Sequence, residues 1–373
     1  MGNDSAKVRR IPIISDLQDR VKEFKALPRK EQMRRLGDFF INNALLITII
    51  VFVIIVACLK GRRFLINAPI DVIKRTAGTL AMALGVAGII CITGTDLSAG
   101  RILGFCACVC ASLLIIPEKN KMFPNLDMMN TPLMEKAWPF IVLLLAMIIG
   151  ALIGVFNGFF VAKFSLHPFI VTLATTLVLH GVVLEYLGIG EQGGLSISSG
   201  LSENYTKIIT TQIRLLNMQI PLFVFYAVGL TFFMWVVWNK TTLGKNMYAI
   251  GSNPEAAKVS GVNVMGTTIA LFALAGMMYG IGAFIDAARI GSASSMTGDG
   301  NELNAIAACV IGGVSFTGGV GKISGVVMGV IMIQLIDVGL LWLSVPATWT
   351  KIITGAIILF AVVLDMRKYL VKR

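Results

Sequence analysis

The chain has 373 residues, of which 56% are apolar and only 14% charged, with a mean hydropathy of +0.82. This composition excludes a water-soluble globular domain. The formal net charge of +12 is no nucleic-acid signal, because the basic residues gather at segment ends and in the first 38 residues rather than along one face.

The first 38 residues hold ten basic and six acidic side chains. Ile14, Leu17, Val21 and Phe24 recur there at helical spacing behind Ser15 and Gln18, a capping-box pair. A basic amphipathic helix of this kind suits the anionic inner face of a membrane, so residues 1–38 are read as a cytoplasmic segment in contact with lipid. It is a poor signal peptide, since the polar stretch is long and no small-residue cleavage site follows the first apolar run.

From residue 39 onward, apolar runs long enough to cross ~30 Å of hydrocarbon recur. They are consecutive rather than alternating, which excludes a transmembrane β-barrel. The runs fall near 39–59, 76–93, 101–116, 138–162, 169–189, 221–238, 265–288, 303–314, 319–341 and 349–365. The expected fold is therefore all-α: a polytopic membrane protein of about ten transmembrane helices occupying residues 39–373. With the N-terminus inside, the inward segments hold 20 of the 32 basic residues, Arg101 included, and an even helix number makes both termini cytoplasmic. Lys60, Arg62, Arg63, Lys74 and Arg75 fall on the outer side in this arrangement, against the usual bias. Trp138 and Trp349 open helices, and Trp235, Trp238 and Trp342 close them, as interfacial anchors do.

Gly150, Gly154 and Gly158 repeat every four residues, as do Gly321, Gly325 and Gly329, and each row makes a ridge for close helix approach. Their places on the fourth and ninth runs point to a duplicated, inverted unit. Two segments read as broken or re-entrant helices: Gly94 to Gly100, and the region after the short eighth run, Gly312 to Gly321. Non-helical backbone at membrane depth must be buried in protein or line a cavity. Thr95, Asp96, Ser98, Asn157, Glu302, Asn304, Ser315 and Thr317 are on these grounds the candidate pathway residues, with Asp96 or Ser98 expected to cap the helix after Gly94 to Gly100. Asp286 and Arg289 sit three apart and are expected to pair. His167, before Pro168, reads as a helix cap, and Asn157 as interhelical hydrogen-bonding glue.

The longest inward loop, 239–264, carries its own helix signal: Asn253 as N-cap, Pro254 at the first position, Glu255 in the first turn, then Ala256, Ala257 and Lys258, with a stop at Gly261. A short capped helix outside the membrane suits the docking of a soluble partner. No catalytic or metal-binding constellation appears. Gly321-Lys322 is followed by Ile323, so no phosphate-binding G-x-x-x-x-G-K-[ST] exists, and Cys106, Cys108 and Cys110 point in successive directions about a helix with no His beside them.

The run from Asn253 to Gly261, with Gly94 to Gly100, Asn157-Gly158, His167 to Leu173, Ala288 to Ser292, and Glu302 to Ala308 leading to Gly312 to Gly319, resembles the permease subunits of ribose- and galactose-type bacterial ABC importers. It is most similar to their galactose/methyl-galactoside branch. The resemblance runs in order and spacing from about residue 70 to the C-terminus and omits the charged N-terminal segment. It implies a homodimer in the bacterial cytoplasmic (inner) membrane, a cytosolic ATPase docked on Asn253 to Gly261, and an extracytoplasmic sugar-binding protein. It further implies that ATP and Mg act only through the ATPase, with no cofactor held by this chain and no nucleic acid bound. Asn304 stands where the family usually carries Asp, and Asp286 where it commonly carries Glu. The expected function is passage of a small neutral sugar by alternating access. Uptake of a nucleoside or signalling-sugar derivative, or ion-coupled secondary transport, are the alternatives.

Overall fold

The computed structural model describes residues 44–120, 122–123, 132–189, 196–198, 200–215, 218–346 and 348–356, with 28, 31–33 and 359. The amphipathic helix expected around Ile14 to Phe24, and Asp365, lie outside the described residues. The chain divides into two compact units, 1–54 and 55–373. The described part of the first is chiefly the opening of one helix, and every candidate pathway and docking residue lies in the second.

Eleven helices are bounded among the described residues: α1 Ala44–Cys91, α2 Ala99–Leu113, α3 Pro132–Phe164, α4 Pro168–Leu187, α5 Glu203–Thr210, α6 Leu222–Lys240, α7 Thr242–Ser252, α8 Pro254–Val259, α9 Val264–Ile290, α10 Asn301–Ile311 and α11 Ile323–Trp342. A further helical stretch covers 348–356. By length and apolarity, α3 from Met134, α4, α6, α9 and α11 can each cross a membrane.

The expected loop at 60–75 is helical instead. Only Gly61 leaves helical geometry, with φ 65 and ψ −152, and Pro69 lies within the helix. The cause is an i, i+4 row, Phe64, Ala68, Val72, Thr76 and Leu80, that is buried while Arg62, Arg63, Leu65 and Ile66 are exposed. Burial of that row outweighs the breaking tendency of one Gly and one Pro on the open side. A second difference from an all-α fold is two short antiparallel strand pairs. β1 (Ser196–Ser198) pairs with β4 (Ser292–Ser294), and β2 (Gln212–Leu215) forms a hairpin with β3 (Met218–Pro221).

The core is built around α9, which packs along α3 and against α2. Alignment is antiparallel and backbone to backbone: a methyl on Gly150 would be driven into the Gly276 carbonyl, one on Gly154 into that of Phe272, and one on Gly280 into that of Ala146. The second ridge meets a different kind of partner. Gly325 and Gly329 of α11 lie on the Gly312 and Ala308 carbonyls at the end of the short α10.

Tryptophan placement is mixed. Trp235 is exposed, but Trp238 is fully buried with an edge contact on Tyr248, so it is a core residue rather than an interfacial anchor. Trp138 is also buried and donates its indole N–H to the Leu113 carbonyl at 2.7 Å. Arg101, expected on the inner side, reaches into the loop after α9. It donates to the Ser295 carbonyl at 2.8 Å and to Asp299 Oδ1 at 2.6 Å.

Candidate translocation and docking sites

The candidate pathway residues separate into three places. The first is the break between α1 and α2, where Thr93 and Gly94 bond back to the Ile90 and Ile89 carbonyls but Thr95 to Leu97 make no bond to another described backbone group. Side chains supply the partners. Thr172 Oγ1 accepts from the Leu97 N–H at 3.1 Å and donates to the Thr95 carbonyl at 3.2 Å, and Thr176 donates to the Leu97 carbonyl at 3.0 Å. Asp96 Oδ1 accepts from both the N–H and the hydroxyl of Ser98, at 2.9 and 2.6 Å, and Oδ2 accepts from the Tyr279 hydroxyl at 3.0 Å. Asn157 donates to Ser98 Oγ at 2.9 Å and accepts from Thr175 at 2.6 Å.

Asp96, Ser98 and Asn157 are all buried. The segment is thus enclosed in protein and satisfied by α3, α4 and α9, the alternative to lining a cavity. The expected cap differs in detail: Ser98 occupies the N-cap position, but its side chain makes no capping bond. Its hydroxyl turns back to Asp96. Asn157 does serve as interhelical glue. His167 also sits at an N-cap without a capping side-chain bond.

The second place is the break between α10 and α11. Ser315 and Thr317 hydroxyls lie 2.8 Å apart, and Tyr248 of α7 donates to the Gly321 carbonyl at 2.9 Å. The Gly319 N–H bonds to the Cys91 carbonyl, the last residue of α1, at 2.9 Å. Gly251 of α7 is wedged between Cys91 and Gly319, where a methyl would strike both backbones.

The third place is a polar cavity of about 170 Å³ among α1, α9, α10 and α11, and Asn304 is the one candidate pathway residue that lines it. Asp286 and Arg289 pair as expected, with Arg289 Nε 3.0 Å from Asp286 Oδ1. Glu302, on the first turn of α10, faces elsewhere: its carboxylate lies over Gly100 at the N-terminus of α2, a favourable place for an anion.

The docking candidate is shaped as its residues dictate. Asn253 Oδ1 accepts from the Ala256 N–H at 3.0 Å, Pro254 takes the first helical position, and Gly261 adopts φ +84 after α8 ends. Ala257 is buried while Pro254, Glu255, Ala256 and Lys258 are exposed. Val259 is 89% exposed, an apolar side chain that residue patterns mark only as part of a run. The sequence did not separate α7 from this loop. Asn253 both ends α7 and caps α8, so one residue makes a corner between two helices.

A family model described as "Branched-chain amino acid transport system / permease component" matches residues 69–362. The chain is 43% identical over 304 residues to the galactose/methyl galactoside import permease protein of Escherichia coli (strain K12), covering 81% of this chain and 87% of the relative. It is 41% identical over 304 residues to the protein of the same description from Haemophilus influenzae, with the same coverage. It is also 32% identical over 324 residues to the ribose import permease protein of E. coli (strain K12), covering 87% and 93%. No solved structure matches.

Proposed function

From the premise that this chain belongs to the branched-chain amino acid transport system / permease component family, we propose that it is the membrane-spanning permease subunit of an ATP-binding-cassette importer for a small neutral sugar of the galactose or ribose kind. It is a multi-pass membrane protein and acts as a conduit rather than as an enzyme. The observation that carries the cargo class is the 43% identity over most of the chain with the galactose/methyl galactoside import permease protein. The α8 corner supports an ATP-driven partner: a capped helix presenting Val259 and Lys258 to solvent suits a soluble protein that docks there.

In this reading the chain spans the membrane about ten times with both termini inside, pairs with a second copy, receives sugar from an extracytoplasmic binding protein, and relies on an ATPase for ATP and Mg. The stretch from β1 to β3 is the outer face. Its amphipathic α5 is tied down by Tyr205, whose hydroxyl donates to the Phe284 carbonyl at 2.5 Å. An ion-coupled transporter would place unpaired carboxylates at membrane depth, whereas Asp286 is held by Arg289 and Asp96 by Ser98 and Tyr279.

The test is reconstitution with the ATPase and binding protein in proteoliposomes. Wild type should take up labelled galactose or ribose with ATP hydrolysis. Val259→Asp should leave the permease folded in the membrane yet abolish hydrolysis stimulated by the liganded binding protein. Uptake driven by a proton or sodium gradient without ATP would overturn the reading.

A further inference from the structure

The polar cavity among α1, α9, α10 and α11 is neutral in sum. It is lined by two guanidiniums, Arg75 and Arg289, and two carboxylates, Asp286 and Asp337. Asp286 is paired with Arg289, and Asp337 lies within electrostatic reach of Arg75. Gln334, buried on α11, donates from Nε2 to Thr79 Oγ1 at 3.0 Å, which leaves Oε1 to accept. The Asn304 amide makes no hydrogen bond to any described residue. Asp286 is buried and Asp337 half-buried, while Arg75 and Arg289 reach the surface. A carboxylate inside a helical bundle is costly, and such groups mark a pathway or a ligand more often than a scaffold.

We propose that this cavity is a transit site for one neutral monosaccharide, held by Asn304, Gln334, the Asp286–Arg289 pair, Arg75 and Asp337, a proposal that rests on the importer reading. Three features select the ligand. Each sugar hydroxyl both donates and accepts, and the lining offers donors and acceptors side by side. Cancelling charges give no net attraction to an ion. A volume of about 170 Å³, below the ~300–1,000 Å³ of drug-sized sites, admits a single ring and no disaccharide. The cavity is also placed for uptake. It lies toward the C-terminal end of α9, while the α8 corner adjoins the N-terminal end. No aromatic ring lines it for stacking, so occupancy is weak and release easy.

The experiment uses the purified permease in lipid nanodiscs, with Asn304→Cys in a Cys58→Ser background, since the other cysteines are buried. A small water-soluble thiosulfonate should modify Cys at this position. D-galactose or D-ribose at about 100 mM should slow the reaction at least ~3-fold, with half-protection at millimolar concentration, and lactose should not. Equal rates with and without both monosaccharides, or equal protection by lactose, would overturn the site. Asn301→Cys, on the same wall, provides the same readout if the first variant does not fold. In the reconstituted importer, Asn304→Leu should lower uptake about 10-fold while hydrolysis stimulated by the liganded binding protein persists; unchanged uptake would also overturn it. Sugar protection in Asn304→Cys, with no ATP-driven uptake by the wild-type complex, supports the site and counts against the importer reading alone.

Discussion

Asn157 shows what a single side chain contributes at membrane depth. It joins Ser98 on one side and Thr175 on the other, whose hydroxyls also reach Asp96 Oδ1 and the Val171 carbonyl. Asn157→Leu removes both bonds but leaves Ser98 on Asp96 and Thr175 on the Val171 carbonyl, a loss of about 1–3 kcal/mol at ~0.5–1.5 kcal/mol for each hydrogen bond. The melting temperature of the purified protein in detergent should fall clearly, while Thr210→Val in α5, whose hydroxyl bonds only within its own helix at 2.7 Å, should change it little. Equal melting of the two would mean that the network adds no stability. That Asp96, Ser98 and Asn157 matter was legible in the sequence, because polar side chains are rare in such apolar surroundings. Their partners were not. Thr172, Thr175, Thr176 and Tyr279 read as ordinary helix residues, and Tyr279 lies 183 positions from Asp96. For the same reason the Asn304 cavity was not foreseen, since Arg75, Asp286 and Asp337 come from three helices remote in the chain.

Among the elements, the α3–α9 pair tests whether small residues are needed or merely frequent. Gly150→Val and Gly276→Val each drive a side chain into a facing carbonyl, so the helices must separate along the length of the contact. Both should reduce folded yield and lower thermal stability by several kcal/mol, in the range of severe core disruptions. Gly181→Ala and Gly229→Ala, where an added Cβ meets nothing, should be neutral, as judged by monodisperse yield on size-exclusion chromatography. The ridge was readable from its four-residue period, but which helix it meets was not. Elements set by their own residues were found most easily. Asn253-Pro254 marks α8 by local chemistry, and Asn253→Ala should cost about 1 kcal/mol of that corner through its lost cap, seen as faster hydrogen exchange at 256–259 with the bundle unaffected. By contrast, α1 through 60–75 and α7 were missed, because tertiary burial of Phe64, Ala68 and Val72, and the close seat of Gly251, override local signals.

For the molecule as a whole, the orientation across the membrane depends on which surfaces are wet. Glu203 and Lys207 of α5 are exposed and paired at 2.8 Å, and the pair holds the Glu203 carboxyl below its usual range. Glu203→Cys should react with an impermeant maleimide in intact cells after outer-layer permeabilisation, and Glu255→Cys only after lysis. The reverse pattern would invert the topology. Apolar runs made the membrane class plain, but Arg101 illustrates the limit of charge counting. Its charge is paired with the half-exposed Asp299 and hydrogen-bonded to the Ser295 carbonyl, so its place is set by a protein partner rather than by a membrane face.

The meeting of Gly251, Gly319 and Cys91 has a mechanical consequence. Three main chains touch there without an intervening side chain: the end of α7, the break before α11 and the end of α1. Contacts between backbones have no rotamers to yield, so a displacement of α7 should be felt at both breaks. The one ionisable side chain of the three residues, the Cys91 thiol, is buried, and a thiol is uncharged near neutral pH, so transmission through this junction should be indifferent to salt and to pH in the neutral range. Gly319 also adopts φ +69 and crowds Ser252, so Gly319→Ala would both strain the turn and open a gap between the parts. The expected phenotype is slippage: ATP hydrolysis that continues while sugar uptake falls about 10-fold, measured in the same proteoliposomes. Loss of both activities together would instead show that the junction is needed for assembly rather than for force.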